Sequence, residues 1–152
     1  MSFPVRLDEY FFPIQEIKAN PKHTPGEVHT VNTQILRGIK KVSDETEDQD
    51  AAYSVELRIR TDEKQSSNLP YFLDLSVYGV FFVNTDSLDN TQINALIEST
   101  GVSVLFGAAR ERVASMTSRA PWGTFHLEVM PISLNSIPAG GDEEPATAVQ
   151  EG

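Results

Sequence analysis

The sequence predicts an α+β fold: a four-stranded antiparallel sheet with one long helix, preceded by a short one, packed on one face. Three observations predict it. Apolar residues over positions 5–83 recur mainly with a period of two, those of Val102–Arg119 recur with a helical period, and the two patterns follow one another instead of alternating. Strands first and helices afterwards is the order of a segregated fold, because antiparallel neighbours need no crossover helices.

The first strand covers Val5 to Ala19. Val5, Leu7 and Phe11 share one register, Tyr10, Phe12 and Ile14 the other, and Pro13 between them is the expected edge-strand mark or face-swapping bulge. Asn20-Pro21-Lys22-His23-Thr24-Pro25-Gly26 is a loop signal. A second strand is expected from Glu27 to Val42, with a bulge at Gly38 and the acidic run Ser43–Asp50 as its solvated exit. The third is the clearest: Tyr53, Val55, Leu57 and Ile59 alternate with Ser54, Glu56, Arg58 and Arg60, so its polar face should see water.

From Leu69 to Val83 the pattern changes. Tyr71, Leu73, Leu75 and Val77 are apolar in one register, and Phe72, Val80 and Phe82 in the other. A strand apolar on both faces is covered on both, and one helical layer covers only one. The other face is expected to meet a further subunit or a ligand.

Asp89 and Gln92 have capping-box spacing and open a short helix that is expected to stop near Gly101. The long helix then buries Val102, Leu105, Phe106, Ala109, Val113 and Met116 in one stripe. Its opposite surface is small: Gly107, Ala108, Ala114, Ser115 and Ser118, with Glu111 as the charged exception. No second long helix follows to cover that surface, which points to self-association. Trp122 to Pro131 reads as extended and hydrophobic. Residues 1–137 form the expected single domain, and 138–152 an acidic tail without periodicity, expected to be disordered.

The chain has no Cys, which removes thiolate metal sites, disulfides and a cysteine nucleophile. Its net charge of −10 argues against a nucleic-acid partner, since binding phosphate backbones requires clustered cations. The one local basic cluster, Arg37, Lys40 and Lys41, is followed at once by the acidic run. No apolar stretch is long enough to enter a membrane and no leader pattern opens the chain, so the expected address is cytoplasmic. His23, His29 and His126 are far apart, and no Ser lies in a nucleophile elbow. No catalytic group, metal or cofactor is expected. Arg110 and Glu111 are neighbours on a helix and do not face each other, so separate caps or subunit-interface pairs are expected rather than an anion site.

Leu105-Phe106-Gly107-Ala108-Ala109-Arg110-Glu111, then Ser115-Met116-Thr117-Ser118-Arg119, then Leu127-Glu128-Val129-Met130-Pro131-Ile132 carry a resemblance. Their order and spacing resemble the SecB family of protein-export chaperones, whose long helix reads Leu-Phe-Pro-Tyr-Ala-Arg-Glu and then Ser-Met-x-Ser-Arg. Upstream, Tyr78-Gly79-Val80-Phe81 is similar to the family's Gly-Gly-Ile-Phe. The resemblance implies a non-enzymatic holdase for non-native polypeptides and preproteins, assembled as a dimer of dimers with the long helices between two sheets. It implies a client groove here at Phe106, Trp122, Phe125, Leu127, Val129 and Ile132. Read from the residues alone, Trp122, Phe125 and Leu127 are as well placed to fold back as core.

The small face, Gly107, Ala108, Glu111, Ala114, Ser115 and Ser118, is the implied oligomer interface. The family's contact with the SecA motor uses acidic positions on the exposed sheet; Asp74 matches one, whereas the first-strand positions hold Ile14 and Lys18. Gly107-Ala108 replaces the family's Pro-Tyr, and the second long helix of the family is missing, with Pro138 soon after Ile137. The rival expectation is a SecB-like subunit dedicated to one partner, as in a toxin–antitoxin system.

Overall fold

The structure is a computed structural model that describes residues 5–86 and 88–128. Val129, Ile132 and the acidic tail therefore lie outside the described residues. Four antiparallel strands, β1 (Val5–Ala19), β2 (Thr33–Ser43), β3 (Ala51–Thr61) and β4 (Tyr71–Val83), pair in the order β1-β4-β3-β2. Helix α1 (Asn90–Leu96), a π-helical turn (Ile97–Gly101) and α2 (Val102–Thr117) follow and cover one face. The predicted fold class is the observed one.

Alternation decides which side chains meet the helices. On β3 and β4, Val55, Leu57, Ile59, Tyr71, Leu73, Leu75, Val77 and Phe81 point to the helical side and are almost wholly buried, together with Ile97, Val102, Leu105, Ala109 and Val113. The helix approaches the sheet closely at two glycines. A Cβ on Gly79 would stand 2.9 Å from Leu105 Cδ2, and one on Gly101 would stand 3.2 Å from Val55 Cγ2.

Gly101 thus corrects an expectation. It does not end the short helix, since its φ of −65° is helical and the helix runs through it into α2. The wide π turn takes up the phase difference: Ile97 and Val102 lie five apart and both are buried, which suits i→i+5 bonding. The absent Cβ is what lets this turn sit on Val55 and Phe81. The capping box at Asp89 and Gln92 forms as expected, with reciprocal bonds of 2.8 and 3.0 Å.

Gly38 carries no bulge: it faces Glu56 in unbroken register, and the irregularity falls between Lys41 and Ser43. Around Pro13 the pairing of β1 does shift, between Phe11 and Ile14, and it shifts again between Leu7 and Glu9. β2 begins at Thr33, not Glu27, because β1 and β2 occupy opposite edges and their connection must cross the end of β4 and β3. That crossing is pinned to the β3–β4 connection. Asn20 N–H donates to Pro70 O at 2.9 Å, Thr30 bridges Ser67, and the Asn68 side chain accepts from Thr24 N–H at 2.8 Å and donates to Thr24 O at 3.0 Å.

Candidate functional site

The segment after α2 carries most of the residues singled out in the sequence. α2 closes with turns through Ala120, and Gly123, at φ +85°, redirects the chain where a side chain would be strained. From Gly123 to Glu128 it runs as a strap with no turn or bend, and with no strand partner among the described residues. Three side chains hold it. The Tyr71 hydroxyl accepts from Trp122 N–H at 3.0 Å and donates to Gly123 O at 2.7 Å. The Thr117 hydroxyl accepts from Phe125 N–H at 2.8 Å and donates to Val113 O at 2.8 Å. Arg110 Nε donates to Leu127 O at 3.0 Å.

The expected groove residues divide accordingly. Phe106 and Leu127 are buried at 5% and 4% exposure, whereas Trp122 and Phe125 are half-buried against the same core. Trp122 Nε1 donates to Asn20 O at 3.0 Å, and its ring lies 5.1 Å from that of His23. His23 in turn is 6.1 Å from His29, and its Nδ1 is 2.9 Å from Asn68 O. A carbonyl oxygen only accepts, so Nδ1 carries the proton of that bond. Sequence reading missed Tyr71, Thr117 and Asn20 as anchors, because neither a hydroxyl bonded to backbone nor a backbone carbonyl that accepts from an indole leaves a periodic signal. It also placed Met116 at the end of the apolar stripe; that residue is half-buried, and Thr117 takes the core position, its hydroxyl satisfied on both sides.

The small face of α2 is open in the protomer. Gly107, Glu111, Ser115 and Ser118 are exposed, Ala108 and Ala114 half-buried, and Val104 adds an exposed apolar side chain beside them. A shallow pocket of about 270 Å³ lies along this face, lined by Gly107, Arg110, Glu111, Ala114, His126 and Leu127. As expected, Arg110 and Glu111 do not pair; Arg112, from the other side of the helix, donates to Gln15 on β1 at 2.6 Å.

The sheet face away from the helices is uncovered among the described residues. Phe11 stacks on Tyr78 at 5.2 Å and remains 48% exposed, and the Arg6 guanidinium sits 4.9 Å over Phe82. On the same face Arg58 clasps Asp74 with two bonds of 2.9 Å, which holds the Arg58 guanidinium above its ordinary pKa. The basic cluster of the sequence does not persist in space: Arg37 turns to Glu98 on the helical side, and Lys41 bonds Asp44. Among the described residues no His, Asp and Glu cluster could hold a metal, and no helix is long and apolar enough to cross a membrane.

Solved structures share this fold. No curated protein matches the chain. Among solved structures, the SecB-like chaperone Rv1957 of Mycobacterium tuberculosis, in complex with a ChAD peptide from the Rv1956 HigA1 antitoxin, superposes with a TM-score of 0.63 at 13% identity, covering 86% of this chain and 94% of that one. A Streptococcus agalactiae protein of unknown function superposes with a TM-score of 0.50 at 10% identity, covering 84% of this chain and 100% of that one. At such identities the likeness is one of fold. The model of the SecB family, preprotein translocase subunit SecB, matches residues 23–137, which takes in β2, β3, β4, both helices and the strap, and so the chain belongs to the SecB family.

Proposed function

We propose that this protein is an ATP-independent holdase for non-native polypeptides, working as a homo-oligomer, a dimer of dimers, in the cytoplasm. The observation that carries the reading is the strap: a SecB-family chain places half-buried Phe125 on a backbone segment that has no strand partner among the described residues, with half-buried Trp122 in the turn that leads into it. Such a surface offers apolar contacts to any extended, unfolded segment, and the net charge of −10 keeps the loaded complex soluble. The small face of α2 is the proposed oligomer interface. Val129 and Ile132 would extend the client surface beyond the strap.

A role in export, with handover of preproteins to SecA, belongs to the same reading. Asp74 is its candidate contact, and any cationic partner there competes with Arg58 for the carboxylate. A second reading has one specific support: the Mycobacterium tuberculosis neighbour was solved with an antitoxin peptide. A chain of this kind dedicated to one partner would bind that partner and few others.

Suppression of aggregation separates the two. The full chain, at its measured solution mass, is mixed without ATP with several unrelated denatured proteins. Suppression of most of them at near-stoichiometric oligomer supports the holdase. A folded oligomer that protects none removes the general reading and leaves the dedicated one, which pull-down of a single tight partner then tests.

A further inference from the structure

The connection from β1 to β2 brings two histidines together. His23 is half-buried and His29 exposed, and their rings stand 6.1 Å apart, edge to face at 74°. The segment that carries them is fixed in place: Asn20 bonds to Pro70, Thr30 bridges Ser67, and Asn68, at φ +54°, grips Thr24 with two bonds. His23 Nδ1 donates to Asn68 O at 2.9 Å, so the lone pair of the neutral ring lies on Nε2, the nitrogen not used in that bond. A metal-ligating imidazole characteristically gives its other N–H to such a carbonyl, which sets the tautomer and holds the ring. Trp122 flanks the same ring at 5.1 Å, and its own Nε1 is tied to Asn20 O.

A metal bonded to a ring nitrogen at about 2.0–2.1 Å stands roughly 3.2 Å from that ring's centroid, so one ion bridges rings whose centroids are up to about 6.4 Å apart. The observed 6.1 Å falls inside this reach. A turn of the exposed His29 ring closes it to the roughly 5.2 Å of a tetrahedral pair. We propose that His23 and His29 form a two-imidazole site for a divalent transition metal, with water completing the shell. Clusters of three or more His, Asp and Glu that could hold a metal are absent among the described residues, and two ligands make a site that takes up its ion reversibly and yields it to chelators. Imidazole donors suit Cu²⁺, Ni²⁺ and Zn²⁺, and the general order of affinities puts Cu²⁺ first. Ca²⁺ and Mg²⁺, which take oxygen ligands, do not fit. An ion held on His23 fastens the β1–β2 connection against Trp122, at the turn from which the strap departs.

The test uses the full chain without a histidine tag, and Cu²⁺ alone as the probe. Trp122 is the only Trp in the sequence, and Cu²⁺ quenches an indole at short range, so its fluorescence reads the site directly. Expected is saturable quenching at stoichiometric Cu²⁺, reversed by EDTA and moved to higher Cu²⁺ by Zn²⁺, which competes without quenching. His29→Ala, at an exposed position, should weaken binding about tenfold or more, as should His23→Ala, whereas His126→Ala, also exposed, should leave the titration unchanged. Should His23→Ala not fold, substoichiometric Cu²⁺ added to the unaltered chain decides by NMR, with the His23 and His29 ring signals broadening before that of His126. Quenching that does not saturate, a parental midpoint in His29→Ala, or broadening that reaches His126 as early overturns the site and leaves the ring contact as packing. The aggregation assay, run in EDTA, tests the holdase reading separately, so neither result decides the other.

Discussion

Thr117 and Phe125 are joined through a hydroxyl that no water reaches: the wholly buried Thr117 Oγ1 accepts the Phe125 N–H at 2.8 Å while donating to Val113 O at 2.8 Å. One side chain at the end of α2 thus fixes the strap that leaves it. Thr117→Val keeps the volume and removes both bonds. It strands the Phe125 amide beside the core, a change expected to cost about 1–3 kcal/mol in urea unfolding. Thr117→Ser retains the hydroxyl and should recover much of that loss. Equal stability of the Val and wild-type proteins would show that the strap is held by its apolar contacts alone.

Gly79→Ala places a methyl 2.9 Å from Leu105 Cδ2 and 3.3 Å from Phe81 Cε1, both on fully buried side chains. Leu105 cannot swing aside without disturbing the helix–sheet contact, so the expected cost is about 1–3 kcal/mol. A smaller neighbour relieves the clash. The Gly79→Ala/Leu105→Val pair should be less unstable than the sum of the two single variants, as a double-mutant cycle by denaturant unfolding would measure.

Gly107 looks out from α2, and a Cβ there would meet nothing within 4 Å in the protomer. Gly107→Leu is therefore expected to fold with unchanged or slightly raised protomer stability, since Gly is the poorer helix former by roughly 0.8–1.0 kcal/mol relative to Ala. At the proposed interface the same side chain blocks close approach of a second copy. Sedimentation velocity should show a smaller species than the parent protein. An unchanged oligomer would move the interface away from this face.

Lys41 bonds Asp44 at 2.8 Å in open solvent, and that bond holds the Asp44 carboxyl below its ordinary pKa. The unfolded chain titrates at the ordinary value, so the contribution of this pair is fully present above it and disappears as pH falls through the lowered one. Lys41→Met should return the Asp44 titration, followed by carbon NMR, to the ordinary carboxylate range. Because both groups are solvated, its unfolding midpoint at pH 7 should hardly move.

The strands and their faces were legible in the sequence because a half-buried sheet imposes strict alternation, and Tyr53–Ile59 obeys it. The long helix was legible for the same kind of reason. Its join to the short helix was not: a glycine before an apolar stripe reads as a stop, and only Val55 and Phe81 beneath it reveal a close contact. Trp122, Phe125 and Leu127 could be named as a group from their apolar character and from the family motif. Whether each became core or surface depended on Tyr71, Thr117, Arg110 and Asn20, whose bonds to Trp122 and to the strap no pattern announces.

The strand order has a consequence for the making of the protein. β1 is synthesised first, yet its neighbour is β4, with pairs running from Ala19 with Tyr71 to Val5 with Val83. At ribosomal rates of about 5–20 residues per second, the first strand waits on the order of several seconds for its partner to emerge. During that wait Tyr10, Phe11, Phe12 and Ile14 are an unpaired aromatic segment, the kind of chain a holdase collects. On the proposed holdase reading, a newborn copy of this protein is, until its fourth strand arrives, a fitting client for the copies already folded.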